Sequence, residues 1–426
     1  MDNKVKEAIC FLTEQKGYKR ILKGILDKYK QLGKLSGMIV LEDLSHEEGI
    51  ILGAIDYKFY AEKRGKISVK KFVDSFCKGR FEGIDFTEVL KIYFKDDLLT
   101  NKALKEMRKN KRETYFFNIL NQFENTKAYQ WLKAVLDEKN HGYHTLIKKY
   151  EESQQDLKYI LINIRNALNI LSFSKKSLMP LPLFSSKVTK DSHYFDINRI
   201  EGKLLIHAIC HFLNEKYPLN AEEMNEVLYQ SGIVRDEISN STITFGLMAY
   251  RKNEAHLGFK SFLDNGEPLQ LSIKNLRSIE KIKAKGYKVF VFENPTAFAG
   301  VMEKTLDLYP SLICTSGQLN ISALMLLDKL VEGGAMLYYA GDFDPEGLQI
   351  ADKLKIRYKE NLILWRFSVE DYRCIKGEVS IKERENKLLN IQSEELLPLR
   401  DFILKEGVAG YQELLIDAYV EDIRNI

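Results

Sequence analysis

Cysteine pairs, long apolar runs, tandem repeats and low-complexity stretches are all missing from this 426-residue chain. Each absence removes a class of protein. The five cysteines (Cys10, Cys77, Cys210, Cys314, Cys374) are scattered, odd in number and nowhere spaced C-x-x-C. That pattern argues against a zinc ribbon or a disulfide framework and favours buried thiols in a reducing compartment. No segment reaches the roughly 18 to 20 uninterrupted apolar residues of a membrane helix. Met1 to Arg20 mixes acids and bases without an apolar core of signal-peptide length. A cytoplasmic protein with no membrane partner is therefore expected. His207 and His211 stand four apart on one helix face, and His141 lies close to His144. Neither pair has a third ligand nearby, which argues against zinc.

What is present is an ordinary globular composition. Hydrophobic residues make up 45% of the chain, enough for a sizeable core in two or three domains. The net charge of +4 conceals two opposed halves: residues 1–190 carry a balance of +12 and the remainder −8. A basic half joined to an acidic half suggests an arm that meets a polyanion and a body that holds cations. The densest basic run, Lys102 to Arg112, holds six bases, among them Arg108, Lys109, Lys111 and Arg112. Those residues are candidate DNA contacts; the alternative is the solvated side of a helix.

Periodicity divides the chain into three expected parts. Residues 1–185 read as a basic, mainly helical arm. Helical spacing runs to a stop at Gly33, a short strand follows at Gly37–Leu41, and Ser45-His46-Glu47-Glu48 resembles a capping box. Leu157, Ile160, Leu161, Ile164, Leu168 and Leu171 form an apolar helical stripe. Ser172–Thr189, with Pro180 and Pro182, breaks the pattern and is expected to be a boundary. Residues 186–284 combine two helices with strand-like Gly232-Ile233-Val234 and Thr242–Phe245, compatible with a winged-helix-like domain. Residues 285–426 alternate strand and helix, which predicts a parallel sheet with right-handed crossovers. The expected class is thus a multidomain α+β and α/β protein.

The chemistry concentrates in two segments of that last part. Phe290-Val291-Phe292 ends at Glu293-Asn294-Pro295, and Tyr338-Tyr339-Ala340 ends at Gly341-Asp342-Phe343-Asp344-Pro345-Glu346-Gly347. A strand that stops at an acid and turns into a helix puts that acid at the carboxyl edge of the sheet, where open α/β sheets bind ligands. Glu293, Asp342 and Asp344 supply hard oxygen donors suited to Mg²⁺ or Mn²⁺, and metal-assisted phosphoryl transfer follows from such a set. Glu293 reads equally as a metal ligand or a general base. Acids also favour helix starts through the dipole, which accounts for Glu346. It accounts poorly for Asp342 and Asp344, whose crowded charges repel without a cation. A phosphoaspartate enzyme of the haloacid-dehalogenase type would place Thr soon after the second Asp, whereas Pro345-Glu346-Gly347 stands here. Tyr411-Gln412-Glu413 precedes an apolar helix and reads as either an added acid or a surface glutamate, so it stays outside the catalytic set.

An acid at one strand end followed two strands later by D-x-D-x-x-G resembles the Toprim fold, with the D-x-D-P-x-G form closest to topoisomerase VI A subunits. A wider resemblance covers most of the chain. Its carriers are residues 33–41, 67–69 and 232–236, Glu293-Asn294-Pro295, Cys314 to Gln318, Gly341 to Asp344 and Trp365-Arg366. These are similar to the JetD-type nuclease subunits of bacterial Wadjet anti-plasmid systems, in the type II/III branch. The resemblance implies a Mg²⁺- or Mn²⁺-dependent endonuclease acting on circular double-stranded DNA. It also implies a homodimer and an SMC-like loop-extruding partner complex, with Glu293, Asp342 and Asp344 as catalytic metal ligands. Ala340 stands where that family often has His, and Pro345-Glu346 where it has Trp-Pro. Tyr194, Tyr229 and Tyr250 sit in no recognisable nucleophile motif, so metal-activated water is the expected nucleophile. The alternatives are a tyrosine transesterase of topoisomerase type and a non-catalytic DNA-binding or regulatory subunit.

Overall fold

Gly33 ends the second helix where the periodicity stops, in the left-handed conformation that favours glycine (φ 73°). This and all that follows comes from a computed structural model, which describes residues 3–95, 98–175, 177–317 and 319–425. The chain forms two compact units, Met1–Gln122 and Phe123–Ile426.

In the first unit, helices Asn3–Glu14 and Tyr18–Leu32 precede an antiparallel pair of strands, Met38–Leu41 and Gly65–Ser68. Ser45 makes the expected capping box. Its hydroxyl accepts from the Glu48 N–H, and the Glu48 carboxylate accepts from the Ser45 N–H, opening helix His46–Gly53. Ile21, Leu22 and Ile25 pack with Phe59, Phe72 and Leu90 in the core of this unit. The basic run lies on helix Asn101–Gln122, whose only buried side chains are Phe116 and Ile119. Arg108, Lys109 and Lys111 are exposed, and Arg112 is half-buried.

The second unit begins earlier than the expected boundary at 185/186. Helices Lys127–Glu138, Tyr143–Glu152 and Gln154–Ile170 pack on helix Ile200–Leu213, and the apolar stripe from Leu157 to Leu168 is buried. Ser172–Thr189 is not a bare linker either. Met179–Pro180 pairs in parallel with Ile233–Val234, and Leu181–Thr189 is helical. Pro182 falls in the first turn of that helix, where an N–H has no helical partner to lose.

A six-stranded sheet organises the rest. Its strands in chain order are β1 (Ser241–Phe245), β2 (Leu269–Ser272), β3 (Lys288–Phe292), β4 (Leu312–Cys314), β5 (Met336–Ala340) and β6 (Leu362–Leu364). Their spatial order is β6-β5-β3-β4-β1-β2, parallel from β6 to β4 and antiparallel beyond. Helices α1 (Pro295–Lys304), α2 (Ile321–Glu332) and α3 (Pro345–Tyr358) connect the parallel strands. The expected β-α alternation is thus present, but the sheet does not stop at 285. Thr242 and Thr244, expected in a separate winged-helix-like domain, lie on β1 beside β4, and the Thr242 hydroxyl donates to the Cys314 carbonyl at 2.9 Å. A strand's own sequence carries its burial but not its neighbour, which is why the 284/285 boundary cuts through this sheet.

From β3 the chain passes to β4 on one side, returns to β5 on the other, and continues outward to β6. The order therefore reverses between β3 and β5. Ligand crevices of open α/β sheets form outside the strand ends at such a reversal.

Candidate active site

Glu293 follows β3 directly, and Asp342 follows β5 after a single glycine, so the reversal of strand order brings the two carboxylates together. The register is fixed by Phe292 opposite Ala340 and by the Glu293 N–H donating to the Ala340 carbonyl at 3.1 Å. The Asp342 N–H donates to Glu293 Oε2 at 3.2 Å, and the Tyr339 hydroxyl reaches the same oxygen at 3.5 Å. Asp344 caps α3, with Oδ1 accepting from the Gly347 N–H at 2.8 Å. Its Oδ2 accepts from Arg384 at 3.1 Å. All three acids predicted from the sequence therefore stand at one end of β3 and β5.

Burial makes these acids unusual. Glu293 is only 8% exposed. Desolvation and then the Asp342 charge push its carboxyl up to about 8, despite the opposing Asp342 N–H. Desolvation also pushes Asp342 up to about 6, against the backbone N–H of Gln412, with the charges of Glu413 and Asp344 adding to the rise. Glu346 contrasts with them. Although burial opposes it, Lys387 and Arg384 hold it below the usual carboxylate range, each donating to it at 2.6 Å. Glu346 is thus a paired first-turn residue of α3, as the dipole argument expects.

Two glycines permit close packing at this turn. A Cβ on Gly341 would stand 2.7 Å from Glu293 Oε2 and 3.0 Å from the Tyr339 hydroxyl. A Cβ on Gly347 would meet the Asp342 carbonyl oxygen at 2.2 Å, a backbone contact that no rotamer change relieves. Gly347→Ala is expected to destabilise the protein by about 3 kcal/mol and to shift the Asp342–Asp344 turn. A melting temperature equal to the parent's would refute this close approach.

A strand far downstream closes the site. Phe343 and Gly410 exchange both backbone hydrogen bonds, at 2.9 and 3.0 Å, and the Gln412 N–H donates to Asp342 Oδ1 at 3.0 Å. Asn294 caps α1 through Oδ1, which accepts from the Thr296 N–H at 2.7 Å, while its Nδ2 donates to Glu413 Oε1 at 2.6 Å. Trp365 and Arg366 then anchor the following helix, Ile416–Asn425. The indole N–H and the guanidinium both donate to Asp422, at 2.7 and 2.8 Å. Gln318, which shares the resemblance segment with Cys314, lies outside the described residues.

Arg384 and Gln412 escape sequence reasoning because nothing local marks them. Only Glu413 gave a signal, as an acid ahead of an apolar helix. The basic residues Arg108, Lys109, Lys111 and Arg112 belong to the other unit. Among the described residues, no three His, Cys, Asp or Glu side chains form a ready-made metal-holding group. The donor chemistry nonetheless suits a hard cation. Buried Glu293 and half-buried Asp342 and Asp344 sit at one strand edge, and among the described residues Glu413 Oε2 is shut off from solvent without a hydrogen-bond partner. Arg384 supplies positive charge at Asp344.

The chain is thus a mixed α+β protein with a carboxylate cluster at the strand-order reversal of its sheet, the position where open α/β sheets bind ligands. More specifically, it belongs to the family described as "Protein of unknown function N-terminus (DUF3323)", which matches residues 35–249, half of the chain. A second family, "Protein of unknown function C-terminus (DUF2399)", matches residues 269–423, the stretch that holds all the site carboxylates. No curated protein matches the chain. Among the described residues no helix is long and apolar enough to cross a membrane.

Proposed function

We propose that this chain is a Mg²⁺- or Mn²⁺-dependent DNA endonuclease, the JetD-type nuclease subunit of an anti-plasmid defence complex, with a Toprim-like C-terminal part. The observation that carries the reading is the meeting of Glu293 and Asp342 at the strand-order reversal, joined through the Asp342 N–H, with Asp344 two residues on. The proposed substrate is circular double-stranded DNA, and the proposed assembly is a homodimer working with an SMC-like loop-extruding complex. The basic helix carrying Arg108, Lys109, Lys111 and Arg112 would contribute phosphate contacts.

Glu293, Asp342 and Asp344 would hold the metal, which when bound neutralises phosphate charge and acidifies a water. The chain's own groups supply the remainder. Held at the end of β3 through the Asp342 N–H, Glu293 serves either as a metal ligand or as the base that takes the proton of an attacking water. Arg384 and Lys387 offer donors at the rim for a phosphate oxygen. Gly341 and Gly347 let the backbone come close.

Water is favoured over tyrosine as the nucleophile by where the central tyrosines lie. Tyr194 is buried and pushed up to about 12 by desolvation. Tyr229 is buried and raised further by the same cause. The test incubates the protein with supercoiled plasmid and Mg²⁺ or Mn²⁺, with and without partner complex, beside Asp344→Ala and the single Tyr194, Tyr229 and Tyr250→Phe variants. Metal-dependent linearisation lost only in Asp344→Ala supports hydrolysis. Loss with one phenylalanine variant would favour a transesterase, and intact DNA binding without cleavage under any condition would favour a binding subunit.

A further inference from the structure

The Asp342–Asp344 turn is tied to the segment Gly410–Glu413 by three hydrogen bonds: the Phe343–Gly410 backbone pair and the Gln412 N–H on the Asp342 side-chain Oδ1. That segment brings a carboxylate with it. Glu413 Oε1 is fixed by Asn294 at 2.6 Å, and Asn294 is itself held by capping α1. The other oxygen, Oε2, is shut off from solvent and has no hydrogen-bond partner among the described residues. Gln412 is fully buried, its side-chain amide is turned to the Asp342 carboxylate, and among the described residues no other group pairs with its polar atoms. A carboxylate oxygen shut off from water and left without a partner is costly unless something polar joins it.

We infer that Glu413 is a fourth carboxylate of this site, presenting Oε2 to the bound divalent cation, with Asn294 as its positioning residue. The inference rests on the metal-dependent reading above and extends it to residues on a different segment of the chain. It also accounts for Asn294 directly after Glu293. One amide both caps α1 through its oxygen and aims Glu413 through its nitrogen.

The test is Mn²⁺ binding to the full chain, followed by calorimetry and by the loss of the free Mn²⁺ paramagnetic resonance signal. Glu413→Gln keeps the shape and the Asn294 contact, and its melting temperature in chelator should match the parent's. Its Mn²⁺ dissociation constant should rise about 10-fold to 100-fold. Asn294→Asp keeps the cap but sets an acceptor against Glu413, and should weaken Mn²⁺ binding as well. Asp342→Asn serves as the reference. If it abolishes binding while Glu413→Gln binds like the parent, Glu413 is no ligand and the inference is overturned alone. If the parent does not bind Mn²⁺, or Asp342→Asn leaves binding unchanged, the metal-site reading fails and the inference with it. Parent-like binding by Asn294→Asp, with Glu413→Gln impaired, would overturn only the positioning role.

Discussion

At pH 9 the Glu293→Gln variant should melt several degrees above the parent chain, and at pH 4 the two should melt together. Glu293 is a buried acid whose proton is held more tightly in the folded state than in the unfolded one, its pKa raised from the usual 4.5 to about 8. For an acid shifted upward, stability is fully present below the unfolded value and is lost as pH rises through the folded value. The window is therefore about pH 4.5 to 8, with the folded state weakened on the alkaline side. At about 1.4 kcal/mol per tenfold, the penalty is on the order of 5 kcal/mol. Glutamine carries no charge and escapes it, while still offering an oxygen to the Asp342 N–H. The same proposed ligand set predicts that Mg²⁺ raises the parent's melting temperature at pH 9 more than the variant's. Scanning fluorimetry across pH, with and without Mg²⁺, measures both. Coincident melting at pH 9 would show that Glu293 does not bear a buried charge.

Asp342→Asn should reduce metal-dependent cleavage by about 10³-fold or more, whereas Glu346→Gln should stay within a few-fold of the parent. The first removes a charge from the proposed metal set, worth about 4 kcal/mol of transition-state stabilisation. The second removes an acid from the same turn whose two oxygens are already taken by Arg384 and Lys387. Charge and sequence position are nearly the same in the two variants. Only the direction of the carboxylate differs, so the pair separates a placed ligand from a generally acidic helix start. Single-turnover cleavage of supercoiled DNA at saturating Mg²⁺ measures both. Equal losses in the two variants would mean that the net charge of the turn, not Asp342 itself, is what cleavage needs.

The local parts of this molecule were legible because local chemistry determines them. Ser45 with Glu48 and Gly33 each act within a turn of their own helix, and the Glu293 and Asp342 strand ends are visible as apolar runs cut off by acids. Which strands lie side by side was not legible. Thr242 and Thr244 alternate as any half-buried strand does, and only the assembled sheet shows that β1 borders β4. The site was readable to the same extent. Residues at the ends of β3 and β5 announce themselves, but Arg384 and Glu413 arrive from 40 and 119 residues beyond the groups they touch. No spacing rule spans such a distance.

The docking of Gln412 onto Asp342 spans 70 residues of chain, and that separation has a temporal side. Synthesis proceeds from the amino end at about 5 to 20 residues per second, so the Asp342 turn exists for several seconds before its partner segment has been made. During that interval the turn lacks the Gly410 pairing and the Gln412 N–H. A half-made chain on the ribosome therefore carries the acids without the segment that closes around them. For the DNA cleavage proposed above, the order of translation would delay the arming of the site.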